Sequence, residues 1–179
     1  MMYKHRFPAG IFLAAAISLL ALLTSGCGDF NIGTFSHPQI KSIAIAPVTN
    51  ETLVPFASAE MRGMLCEQFM FDGSMKVKDM KEADCILYCR IKDVAITENA
   101  SAGYDSEKNY QAAEWKIIVT AEFTVIVPSR KEPLIPKRTV TGSSIFQVFG
   151  DPNAQQRRGI KMACRSAAEM VVEYTAEAW

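Results

Sequence analysis

Between Trp115 and Val127 every second residue is apolar. Trp115, Ile117, Val119, Ala121, Phe123, Val125 and Val127 fall on one side, against Glu114, Lys116, Thr120, Glu122 and Thr124 on the other. A period of two sustained over that length fits only a strand with one buried face. Such a strand cannot bury that face alone; it needs neighbours in a sheet and a second layer over it. Ala83–Val94 alternates in the same way, with Ala83, Cys85, Leu87, Cys89 and Ile91 opposed to Asp84, Arg90 and Lys92. The polar, glycine-containing run Thr97–Ala113 between the two predicts a long hairpin loop. Pro128–Pro136 (PSRKEPLIP) turns the chain into a further strand at Lys137–Phe149. Ile40–Val48, with Ile43 and Ile45 on one side, reads as a first strand ended by Pro47, followed by a turn at Thr49–Thr52. A short strand is expected at Met75–Lys78.

Two helices complete the set. Pro55 suits a first turn, Phe56–Phe71 is made of good helix formers, and Asp72-Gly73 stops it. Ala59, Gly63, Cys66 and Met70 form the expected seam of this helix, which is broad enough to suggest cover on more than one side. Asp151 is a good N-cap before Pro152, and the last helix runs to near Glu177. Its stripe is Ile160, Ala163, Cys164, Ala167, Val171 and Tyr174, opposite Lys161, Arg165, Glu169 and Glu173. The order strand, helix, strands, helix predicts an α+β domain. Its economical form is a two-layer sandwich, a mixed or antiparallel sheet with both helices on one face.

The N-terminus is of a different kind. Ile11–Leu23 is an apolar run of thirteen residues, short of the roughly 20 that a helix needs to cross a bilayer. With Lys4 and Arg6 before it, it matches the apolar region of a secretory signal. Thr24, Ser25 and Gly26 then lead to Cys27, which resembles the lipobox of bacterial lipoproteins, with Thr24 where that motif usually has leucine. The resemblance implies cleavage before Cys27, a diacylglycerol on its sulfur and a fatty acyl group such as palmitate on its new α-amine. An ordinary signal peptide followed by a structural cysteine is the plainer alternative. On this reading residues 1–26 are the signal, 27–39 a lipidated tether and 40–179 a single domain. The tether, a dozen residues rich in Gly, Asn and Ser, reaches at most ~40 Å from the membrane surface.

Removing the signal leaves 17 cations against 19 anions, a net charge of −2. That balance gives no general attraction to nucleic acid or anionic lipid. His37 is the one histidine remaining, so a histidine-based triad or multi-histidine metal site is not expected. The phosphate-cradling, dinucleotide and nucleophile-elbow glycine patterns are missing as well. Cys66, Cys85, Cys89 and Cys164 lie on apolar faces and read as buried small hydrophobes. Disulfides compete with that reading in an oxidising compartment. Cys85 and Cys89 sit ~13 Å apart on one strand, beyond bridging distance; the other pairings stay open. Arg130, Lys131, Lys137 and Arg138 bracket the 128–136 turn, with Leu134 and Ile135 between two prolines. Four cations at one turn suit phosphate groups, and they equally suit a solvated hairpin tip.

IKSIAIAPVTNETLVPFASAEMRGML, a strand ending in Pro47-Val48-Thr49-Asn50 and then a helix, resembles the LptE-like family of lipopolysaccharide-assembly lipoproteins. EADCILYCRIKDV, EWKIIVTAEFTVIV and RSAAEMVVEYTAEAW extend the resemblance over residues 27–176. It implies a non-enzymatic outer-membrane lipoprotein that plugs an LptD-like β-barrel translocon and helps deliver lipopolysaccharide to the cell surface. Such a protein faces the periplasm or sits within the barrel lumen, with no cofactor beyond the acyl groups on Cys27. Arg130, Lys131, Lys137 and Arg138 then become candidate contacts for lipopolysaccharide phosphates, and Leu134 and Ile135 for acyl chains or the barrel wall. Gly28 after the lipidated cysteine permits export to the outer membrane. The strand–Pro-x-x-Asn–helix pattern also occurs in lipoproteins that activate peptidoglycan synthases, the competing function; the short tether favours the barrel partner.

Overall fold

The computed structural model describes residues 39–100, 114–147 and 151–176. All of them lie in the second of two units into which the chain divides, Phe35–Trp179. Strand β1 (Ser42–Ile45) runs parallel to β3 (Lys76–Val77) on one side and to β4 (Cys85–Ala100) on the other. From β4 the sheet continues antiparallel through β5 (Glu114–Ile126) to β6 (Ile135–Gln147), giving the order β3-β1-β4-β5-β6. β2 (Thr49–Asn50) pairs with β4 beyond the end of β1, so the chain interrupted by Pro47 resumes along the same neighbour. Thr49 and Asn50 are therefore strand rather than the expected turn. The turn comes one step later, where Asn50 Oδ1 accepts from the Thr52 N–H (3.0 Å) and Thr52 Oγ1 (2.8 Å). Asn50 Nδ2 donates to the Val54 carbonyl at 2.7 Å.

The alternation in β5 is realised as read, with Ile117, Val119, Ala121, Phe123 and Val125 all buried. In β4 the buried set Cys85, Leu87, Cys89 and Ile91 ends at Lys92. The register shifts there by one residue, pairing Ile91 with Ala121 and Asp93 with Thr120. The extra residue is a β-bulge that moves Val94 and Ile96 onto the core face, reversing the parity of the strand. β4 then continues to Ala100, so residues 97–100 are strand and not the start of the expected loop. Residues 101–113 of that loop lie outside the described residues. The register of β4 shifts again between Glu98 and Ala100, and a further bulge sits in β6, where two residues, Pro136 and Lys137, oppose Thr124 between the pairs Val125–Ile135 and Phe123–Arg138. β6 thus begins two residues earlier than expected. Proline is tolerated because β6 is an edge strand and the bulge removes its ladder bond.

Helix α1 (Ala57–Asp72) ends at Gly73, whose positive φ of 71° lets its N–H reach the Phe69 carbonyl at 3.1 Å. Its buried stripe is Ala57, Met61, Met64, Leu65, Gln68 and Phe69. The expected seam of Ala59, Gly63, Cys66 and Met70 is incorrect: Gly63 and Met70 are exposed, and the helix is covered on one side. Bulky Met61, Leu65 and Phe69 bury more apolar area than the small residues do, and that difference decides which way the helix rolls. Helix α2 (Pro152–Ala176) starts as expected, with Asp151 Oδ1 accepting the Asn153 N–H at 2.9 Å. Ile160, Ala163, Cys164, Ala167 and Val171 are fully buried. Both helices join the inner faces of β4, β5 and β6 in one apolar core, so the fold is the two-layer α+β sandwich expected.

One polar fixture ties β1 to β4. Asp84 Oδ2 accepts from Ser42 Oγ (2.7 Å) and from the N–H groups of Ser42 (2.9 Å) and Lys41 (3.0 Å). The Ser42 hydroxyl, then the Lys41 amide, hold the Asp84 carboxyl below its ordinary value of 3.8. A depressed folded-state pKa stabilises the fold above the unfolded value and loses that stabilisation as pH falls through the folded one. Asp84→Asn is therefore expected to melt below wild type at neutral pH, with the two melting temperatures converging once the carboxyl is protonated. Thermal melts as a function of pH check this; a gap that persists unchanged into strong acid contradicts it.

Candidate interaction surface

The helices cover one face of the sheet and leave the other uncovered by secondary structure among the described residues. On that face Ala44, Ala46 and Ile86 make a small apolar cluster beside Ala83 and Ile126. Next to it lies a shallow depression of about 130 Å³, lined by Pro47, Thr49, Tyr88, Arg90, Glu122, Thr124 and Lys137. Lys137 Nζ is 3.6 Å from Glu122. Glu51 holds two cations at the rim, Arg90 at 3.0 Å and Lys92 at 2.6 Å. The hydrogen bond from Lys92 is the main reason the Glu51 carboxyl lies below its ordinary range. These pairs are exposed, so each contributes little to stability; they set a mixed charge pattern on a face that is otherwise rich in threonine.

The structure separates the four cations of the 128–138 segment. Arg130 and Lys131 are exposed in the turn, whose closing bond runs from the Arg130 N–H to the Val127 carbonyl at 2.9 Å. Lys137 lies on the helix-free face, beside Glu122. Arg138 points to the other side, since it is paired in register with Phe123 and stacks 5.1 Å over the Tyr174 ring of α2. Tyr174 in turn stacks on Phe123, ring centroids 6.4 Å apart. The bulge at Pro136-Lys137 causes this division. The apolar pair is not available as expected: Ile135 is fully buried and Leu134 packs against the core. A proline on each side seats these residues inward, so acyl-chain or barrel-wall contact through them is withdrawn. Glu122 and Tyr88 were not legible as neighbours of this segment, because alternation assigns a side chain to a face without saying which strands meet.

The thiols complete the chemical inventory. Cys66, Cys85, Cys89 and Cys164 are all free. Burial pushes Cys85, Cys89 and Cys164 up to about 12, so none carries a thiolate at neutral pH. Cys85 instead donates weakly to the Ser42 carbonyl (3.5 Å). Among the described residues there is no group of three His, Cys, Asp or Glu side chains able to hold a metal ion. No helix of those residues is long and apolar enough to cross a membrane. Cys27, the expected signal and the expected tether up to residue 38 lie outside the described residues.

A protein-family model described as LptE, lipopolysaccharide-assembly, matches residues 40–175. The chain belongs to the LptE family. The match covers the whole sandwich from before β1 to the last turn of α2, and leaves out residues 27–39 of the span over which the sequence resembles that family. Solved structures are similar at low identity. A minor lipoprotein from Acinetobacter baumannii is similar with a TM-score of 0.50 at 11% identity, over 78% of this chain and 94% of that one. A PelC dodecamer from Paraburkholderia phytofirmans gives 0.48 at 15% identity, over 76% and 88%. The rare lipoprotein B from Shewanella oneidensis gives 0.40 at 16%, over 75% and 95%. No curated protein matches the chain by sequence. The two helices and the mixed sheet make up the sandwich that the family model spans, and among the described residues Arg130 and Lys131 of the β5–β6 turn are exposed.

Proposed function

We propose that this chain is a non-enzymatic outer-membrane lipoprotein, anchored through acyl groups on Cys27. It works with an LptD-like β-barrel as plug and assembly factor in lipopolysaccharide transport, facing the periplasm or seated in the barrel lumen. The observation that carries this reading is the family match over residues 40–175. The geometry supports it in two ways: among the described residues one sheet face carries no helix, and exposed cations stand at the β5–β6 turn. Burial of an acyl chain contributes ~0.8 kcal/mol per methylene, so several chains on one cysteine hold a domain firmly at the membrane. Cys27→Ser is expected to leave a folded protein that a high-salt wash releases from membranes; a variant that stays in the membrane fraction contradicts the anchor.

For the ligand, the reading assigns the lipopolysaccharide phosphates to Arg130, Lys131, Lys137 and Arg138. A charged hydrogen bond contributes ~1.5–3 kcal/mol when desolvated and ~0–1 kcal/mol when it stays in water. Arg130 and Lys131, without an acidic partner among the described residues, are expected to carry more than Lys137 and Arg138, which already hold Glu122 and Tyr174. Replacing all four by serine is expected to weaken lipopolysaccharide binding at least about tenfold, or ~1.4 kcal/mol, with the circular dichroism spectrum and barrel association retained. Unchanged lipopolysaccharide binding removes the segment from the site.

A further inference from the structure

β6 forms one edge of the sheet, and among the described residues its outer side has no backbone partner. Long edge strands are normally blunted by proline, charge or a bulge, because their unpaired N–H and C=O groups template another strand. In β6 those devices are confined to one end: Pro136, the bulge, Lys137 and Arg138. From Thr139 to Gln147 (TVTGSSIFQ) there is neither a charge nor a proline. The opposite edge, β3, is two residues long and offers no comparable template. Pairing of β6 with β3 in a head-to-tail chain of sheets is thereby disfavoured, and β6 with β6 is the closed alternative.

Each layer presents an exposed apolar side chain next to this edge. On the helix-free face it is Ile145, 58% exposed, and in the helix layer it is Met162, 51% exposed. α2 runs antiparallel to β6: the Ser144 hydroxyl donates to the Gly159 carbonyl (2.6 Å), Gly142 faces Ala163 and Ala167, and Arg138 lies over Tyr174. Gly159, Ala163 and Ala167 thus look down at the sheet, and Arg157 looks sideways to Glu60 on α1 (3.5 Å). Helical geometry then aims Met162, Ser166 and Glu169 outward past the free edge, with Met162 level with Gly142–Ser144.

We propose that the free edge of β6 is a self-association surface, which pairs antiparallel with β6 of a second copy about a twofold axis near Gly142 and Ser143. This arrangement sets the two α2 helices side by side and antiparallel, with the twofold level with Ala163 and Cys164 and the two Met162 side chains about one turn apart. The charges of α2 fit that direction. Arg157, Arg158 and Lys161 occupy its first half, Arg165 its middle, and Glu169 and Glu173 its later turns. Counted from the twofold, Glu169 falls level with Arg158 of the second copy, and Arg158 has no acidic partner among the described residues. A parallel neighbour would place like charges together. Lys137 and Arg138 meet the uncharged Phe146-Gln147 end of the other strand, so the edge cations do not oppose one another. This surface is independent of the barrel reading.

The test is the protein mass of the full-length lipidated chain in detergent, by sedimentation at tens of micromolar. Wild type is expected to be a dimer. The double variant Ile145→Lys/Met162→Lys alters exposed positions only and is expected to be monomeric with an unchanged melting temperature. Glu169→Arg alone is expected to weaken the dimer, and adding Arg158→Glu to restore it; Arg165 cannot account for such a rescue, because its own pair with Glu169 is not rebuilt. A monomeric wild type, a double variant that remains dimeric, or a charge swap without rescue overturns the proposal. Co-purification of a barrel is read separately, so failure of one reading leaves the other standing.

Discussion

Gly142→Val is expected to leave little folded protein. A Cβ at this position would lie 2.1 Å from the Ala163 carbonyl oxygen and 2.3 Å from the Ala167 nitrogen. Both are backbone atoms of α2, so no side-chain rotation relieves the overlap. The helix would have to lift from the sheet, and with it Ile160, Ala163, Cys164 and Ala167, all fully buried. Overpacking in a core costs typically ~1–3 kcal/mol; displacement of a whole helix places this variant at or beyond the top of that range. Against a domain stability of ~5–15 kcal/mol, even Gly142→Ala should lower the melting temperature by about 10 °C. Gly63→Ala is the matched control, since its Cβ meets nothing within 4 Å on an exposed helical surface. It is expected to stabilise by ~0.5–1 kcal/mol. Thermal melts of the three variants decide it; a Gly142→Ala protein that melts with wild type contradicts the close helix–sheet approach.

Val119→Asp is the second large effect. Val119 is fully buried in the middle of the sheet, paired with Val94 on β4 and with Gly142 on β6. A carboxylate there has no cation within the core, which consists of apolar side chains from both layers. An unpaired buried charge costs several kcal/mol, and protonation to the neutral acid recovers only part of it. That loss is comparable with the whole stability of a domain, so stable expression should disappear. Thr120→Asp, one residue along and half-buried on the helix-free face, should express with a modest loss. Equal yield and melting temperature for Val119→Asp and wild type would mean that the strand faces the other way.

These two sites show what could be read from the chain alone. Val119 was legible because period-two alternation is a property of one strand, independent of its neighbours. The stripe of α2 was legible for the same reason at period 3.6. Gly142 carried no signal: its role comes from α2 lying on β6, a contact that depends on topology. The bulges at Lys92 and Pro136 were equally hidden, since each is defined by a mismatch between two strands. They account for the divided cations of the 128–138 segment, for the burial of Ile135 and for the longer β4. In α1 the pattern misled, because Gln68 is buried within the apolar stripe while Met70 is left exposed. Small residues were counted there as equal to large ones, and burial free energy scales with area.

The central claim, a lipid-anchored lipopolysaccharide-assembly protein that works with a barrel, is tested most directly by purification of the full-length protein from native envelopes in mild detergent. Co-purifying proteins are identified by mass spectrometry and lipopolysaccharide is assayed in the same eluate. The account predicts one outer-membrane β-barrel protein in near-stoichiometric amount, with lipopolysaccharide present, and loss of both from the membrane-derived eluate for Cys27→Ser. Recovery of a peptidoglycan synthase in place of a barrel, with no lipopolysaccharide, would contradict it.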